Sequence, residues 1–96
     1  MVLSMNFQKR VRVAPDVLFR AFNDEAILLN LKTETYFELD DVGTSMWQQV
    51  TGSGTLQEAY DALLHQYEVE PARLREDMVD LLGQLLENGL LVLRDE

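Results

Sequence analysis

The sequence predicts an α+β domain, winged helix-turn-helix-like, in which a three-stranded antiparallel sheet is followed by three helices. Three observations carry that expectation. The chain has 96 residues, enough for one domain and not two. Between Val17 and Leu39, short β-forming runs alternate with turn residues. After Asp40 the spacing of apolar residues lengthens from two toward 3.6, the period of a helix.

Residues 1–10 show no clear period, and residues 1–16 are expected to form an N-terminal arm or a partial edge strand ahead of a domain spanning residues 17–94, with Pro15-Asp16 as a turn. VLFRAF, Val17 to Phe22, reads as a strand closed by Asn23-Asp24, whose side chains bond readily to nearby backbone in tight turns. AILLNL, Ala26 to Leu31, is a second strand, and Thr35 to Leu39 a third after the polar turn KTET. Short links between consecutive strands make an antiparallel meander. Asp40 is placed to cap a helix whose apolar side holds Val42, Met46, Trp47 and Val50 and which stops at Gly52-Ser53-Gly54. Thr55-Leu56-Gln57-Glu58 has the capping-box pattern, in which threonine and glutamate each satisfy an orphan N–H, and Leu56, Ala59, Tyr60, Leu63, Leu64 and Tyr67 continue an amphipathic helix. Pro71 opens the last helix at a position where its missing N–H does no harm, Gly89 ends it, and Leu90 to Leu93 form a short terminal strand.

Composition narrows the function classes. No apolar run exceeds four residues, which predicts neither a membrane span nor a secretory signal, and the absence of cysteine removes disulfides and thiolate metal sites, so a cytoplasmic protein is expected. Against 17 acidic residues stand 8 Lys and Arg, a formal net charge of -9. Nucleic acids and anionic membrane surfaces are bound mainly through cations, so neither is an expected partner. The charge favours proteins, peptides or cations instead.

Nothing converges toward catalysis, and no cofactor or metal is expected. His65 is the one histidine, without cysteine or another orienting partner in its neighbourhood, and reads as a helix-end residue. Asp40-Asp41 reads as a cap plus a favourable dipole partner rather than an acid–base pair. TGSGT, Thr51 to Thr55, lacks the Walker spacing and its lysine and reads as an interhelical turn.

The last helix is apolar over more surface than one contact requires. Stepping about 100° per residue from Leu74, the residues Leu81, Leu85, Met78, Leu82, Leu86 and Val79 fall within roughly 160°, with Arg75 inside the arc and Asp77 outside it. A single packing partner needs a stripe of about 100°. Either the helix is wedged between the sheet and the other helices, or one flank of the stripe lines a groove. The strand TYFEL adds to the second reading: Thr35, Phe37 and Leu39 share one face, with Leu39 and Phe37 inward, and no proline or lysine blocks its edge. An open edge beside an apolar helix is the geometry of peptide capture by strand addition.

AILLNLKTETYFELDDVGTSMW, GSGTLQEAYDALLHQYEVEP and REDMVDLLGQLLENGLL together resemble the PqqD-like domains, or RiPP recognition elements, over residues 17 to 91. The marks are Leu28-Leu29, the strand from Tyr36 to Leu39, Gly43, Trp47, Asp77 after Arg75-Glu76, and Gly89-Leu90-Leu91; none is specific alone, and their order and spacing are. The resemblance implies a non-catalytic adaptor that binds the leader of a ribosomally made precursor peptide and presents it to a modifying enzyme: a leader protease, a cyclase or a radical enzyme. It implies a leader strand added along Thr35, Tyr36, Phe37, Glu38 and Leu39, with Arg75, Asp77, Met78, Val79, Leu82 and Leu86 as candidates for the facing helix. The segment looks more like the small discrete B proteins of lasso-peptide pathways and the generic PqqD-like proteins than like the chaperone of pyrroloquinoline quinone synthesis, where Pro-Glu is expected in place of Lys32-Thr33-Glu34.

Two other classes compete. A winged-helix DNA binder fits the architecture, but Arg73 and Arg75 face Glu76, Asp77, Asp80 and Glu87 along the last helix, so it would meet DNA with net negative charge. A homodimer could form through the same open edge.

Overall fold

The structure, a computed structural model, describes residues 5–52 and 54–94. Its elements run β1 (Arg10–Val13), β2 (Val17–Phe22), β3 (Glu25–Asn30), β4 (Thr35–Leu39), α1 (Asp41–Gly52), α2 (Leu56–Gln66), α3 (Pro71–Glu87) and β5 (Leu91–Arg94). The three antiparallel strands β2-β3-β4, followed by three helices, are the α+β arrangement that the change of period predicts.

Local chemistry sets the boundaries. The two-residue turn between β2 and β3 uses Asn23 at φ 57, a left-handed conformation that asparagine tolerates better than most residues. Asp40 Oδ1 accepts from Gly43 N at 2.7 Å and caps α1. Thr55 and Glu58 form the reciprocal capping box at the start of α2. At the end of α3, Gly89 has φ +70; its N–H donates to Leu86 O at 3.2 Å and that of Leu90 to Leu85 O at 2.9 Å, a Schellman closure that turns the chain into β5.

Of the stretch before Pro15, expected as an arm or partial edge strand, residues 1–4 lie outside the described residues and the rest carries β1, which pairs antiparallel with β5 in a separate two-stranded sheet. It is fastened to α2 as well, because Leu56 N donates to Lys9 O and Gln57 N to Phe7 O. Phe7 and Val11 are buried, and the Phe7 ring meets Tyr60 edge-on at 5.9 Å.

One core joins these parts. The inward face of the three-stranded sheet supplies Ala26, Leu28 and Leu39, with Phe19 stacked on Trp47 of α1 at 6.2 Å. Leu56, Ala59 and Leu63 come from α2, and Leu74, Met78, Leu82 and Leu85 from α3. That last set, spaced four, four and three residues apart, is the single stripe a packed helix presents.

Candidate functional site

The strand order leaves β4 at an edge of its sheet. Which of its backbone groups face outward follows from the register. Leu31 N donates to Asp16 O at 2.8 Å, one step beyond the Val17–Asn30 pair, and the hairpin closes at Phe22–Glu25. Bonded and unbonded pairs alternate along an antiparallel ladder. Glu25, Ile27 and Leu29 of β3 therefore bond to β2, while Ala26, Leu28 and Asn30 bond to their β4 partners Leu39, Phe37 and Thr35. Tyr36 and Glu38 turn their N–H and C=O groups the other way, to the side where no strand pairs among the described residues.

The side chains alternate too. Leu39 is buried and Phe37 partly buried against the core, whereas Tyr36 is 65% exposed on the outer face of the sheet. Beside this edge an open cleft of about 420 Å³ is lined by Phe37, Glu38 and Leu39 of β4, Asp40 and Gly43 at the start of α1, Glu25, and Leu81 and Gln84 of α3. Gly43 is tightly seated: a Cβ there would stand 3.2 Å from Asp40 Oδ1 and 3.3 Å from Leu39 Cδ2. At the other end of β4, Asn30 is buried and holds the β3–β4 turn through Oδ1, which accepts from Lys32 N at 3.0 Å and Thr33 N at 3.2 Å.

The candidate residues on α3 divide among three directions. Met78 and Leu82 are 1% and 2% exposed and belong to the core beneath the cleft. Arg75 is on the flank turned to the N-terminal segment, its guanidinium 3.9 Å above the Phe7 ring. Val79 and Leu86 are partly buried against the core and fall on that same flank by helical spacing. Asp77 falls on the opposite flank, between Leu81 and Gln84 on the wheel; its carboxylate is 3.5 Å from Arg73 Nε. Thr35 to Leu39 form β4 itself.

Sequence reasoning missed Leu81 and Gln84 as the residues facing β4, and Glu25, Asp40 and Gly43 as the mouth of the cleft. No local signal separates the two flanks of α3: the choice follows from Phe7, buried under Arg75, which takes up the other one. His65 is exposed, with Nδ1 2.9 Å from Asp61 O one helical turn earlier. Among the described residues no group of three or more His, Cys, Asp or Glu could hold a metal ion, and no helix is long and apolar enough to cross a membrane.

An unpaired strand edge next to an open cleft of mixed polar and apolar lining is the geometry of a class of small binding module, in which an extended segment of another chain adds as a strand. The family model described as coenzyme PQQ synthesis protein D (PqqD) matches residues 25–91, and the chain belongs to that family. Two solved structures share the fold. One, TbiB1 in complex with the TbiA(beta) leader peptide, is 32% identical, superposes with a TM-score of 0.78, and is matched over 83% of this chain and 93% of its own. The other, lasso peptide synthetase B1 complexed with the leader peptide, is 23% identical with a TM-score of 0.77, over 86% of this chain and 98% of its own. None of the curated proteins compared with the chain matches it.

Proposed function

We propose that this chain is a non-catalytic adaptor that captures the leader of a ribosomally made precursor peptide as an added strand on β4 and presents it to a modifying enzyme: a leader protease, a cyclase or a radical enzyme. The observation that carries the reading is the outward set of Tyr36 and Glu38 backbone groups, lying beside a cleft floored by Phe37, Leu39 and Leu81. Main-chain bonds to those groups supply affinity without regard to sequence. The cleft supplies selectivity, because every second leader side chain points into it.

Membership of the family and the likeness to TbiB1, which was solved with a leader peptide, support the same reading. On it, Leu81 and Gln84 are the α3 residues that meet the leader, Asp77 borders them one turn earlier, and Met78 and Leu82 support the cleft floor from within the core. The acidic surface of α3 disfavours the DNA-binding alternative.

The test is calorimetric titration with the leader of a short precursor encoded beside this chain, combined with sedimentation of the free and bound protein. One leader per chain, bound by a monomer, is the expected result. A dimer that dissociates only when leader is added would place self-pairing at the same edge, and the absence of any interaction would sink the proposal.

A further inference from the structure

The mouth of the cleft is anionic on one side only. Glu25, Glu38 and Asp40 border it at the Leu39 end of β4, and no Lys or Arg lines it. Asp41 follows Asp40 in sequence, and Asp24 precedes Glu25. The first cation on the same face of the sheet is Arg20, opposite Ile27 on β2 and so two strand spacings, roughly 10 Å, from Glu38. The opposite end of β4 carries Lys32 and Glu34 in its turn, a pair that offsets itself.

The register converts this asymmetry into a pattern for the occupant. On a strand added antiparallel to β4, the pairing that is more stable per residue, side chains opposite Leu39 and Phe37 enter the cleft toward Leu81. The one opposite Glu38 stands on the outer side, beside its carboxylate at cross-strand contact distance, and the outward side chain two residues nearer the segment's N-terminus passes the end of β4, where Asp40 caps α1 and lines the cleft. We infer that the segment recognised here reads basic–apolar–basic–apolar from its N-terminal side, with one Lys or Arg opposite Glu38 and one level with Asp40 at the start of α1, and apolar residues opposite Leu39 and Phe37. The inference rests on the strand-addition reading and specifies its substrate.

The experiment selects a phage library of random twelve-residue peptides on the immobilised protein. The best binder is then resynthesised with its basic residues changed to Gln and measured against wild type, the Glu38→Gln/Asp40→Asn double variant and Tyr36→Pro. Asparagine keeps the oxygen that caps α1. Tyr36→Pro removes one outward N–H while leaving the cleft lining intact. Emission from buried Trp47 confirms folding of each variant. The expected result is enrichment of the alternating pattern and a loss of about three- to tenfold on Lys→Gln in wild type, as two partly exposed ion pairs give, with that difference collapsing in the double variant. Selection of apolar peptides without basic residues at those positions, or with basic residues only on the C-terminal side, overturns the inference and leaves strand addition standing. Selected peptides that bind Tyr36→Pro as tightly as wild type, or no selection above background, overturn both.

Discussion

Asn30 Nδ2 donates to the Gly89 carbonyl at 3.3 Å, tying the last residue of β3 to the turn that ends α3. The same side chain shapes the β3–β4 turn through Oδ1, so one buried amide ties the start of β4 to the end of α3. It is 6% exposed, and its bonds are correspondingly difficult for water to replace.

Asn30→Ala should therefore cost about 1–3 kcal/mol in urea unfolding, the range for leaving buried polar partners unsatisfied. Leader affinity should fall as well, since the β4 turn and the end of α3 lose their shared anchor. A stability equal to wild type would show that the turn holds itself.

Proline separates the two sides of β4. Tyr36→Pro removes an N–H that faces away from β3, a placement edge strands tolerate, so the protein should fold normally and lose leader binding. Phe37→Pro removes an N–H bonded to Leu28 and should destabilise the sheet by about 1–3 kcal/mol. Thermal melts and calorimetry on the pair check both halves, and a Tyr36→Pro variant that binds as wild type would count against the edge.

On α3, binding and stability should come apart between adjacent residues. Leu81 is partly buried at the cleft, so Leu81→Asp should weaken binding at least tenfold, while Leu82→Ala should cost about 2–5 kcal/mol of stability as a core deletion. Denaturation and titration of both variants test the division. A wild-type affinity for Leu81→Asp would move the leader off this wall.

This division also marks what is legible in the sequence. Period and turn chemistry suffice for the strands, the capping box at Thr55 and the closure at Gly89, because each is set by residues close together in sequence, five positions apart at most in the two helix ends. The apolar excess of α3 is legible as well, and so is the inward turn of Phe37 and Leu39. Which flank of α3 meets the cleft is not, because that depends on a partner more than sixty residues away: Phe7, under Arg75, takes up one flank and leaves the other to β4. A helical wheel contains no such long-range information.

Glu58 gives the fold a pH signature. Its carboxylate accepts from Thr55 N at 2.7 Å and lies 3.3 Å from Thr55 Oγ1, and these bonds, with Arg10 nearby, hold its pKa below the ordinary 4.5. A carboxylate with a depressed folded pKa contributes stability that is full above its unfolded pKa and is lost as pH falls through the folded one. Thermal midpoints followed from about pH 6 down to about pH 3 should decline more steeply for wild type than for Glu58→Gln, which keeps an acceptor but does not titrate. Parallel curves would mean that the capping carboxylate contributes nothing.

The most direct test of strand addition is the amide spectrum of β4, recorded by NMR with and without the leader encoded beside this chain. Tyr36 and Glu38, whose N–H groups face outward, should shift strongly and gain protection from hydrogen exchange, while Phe37 and Leu39, already bonded to β3, change little. Protection that appears on the opposite edge, at Phe19 and Ala21 of β2, or uniformly along β4, would contradict it.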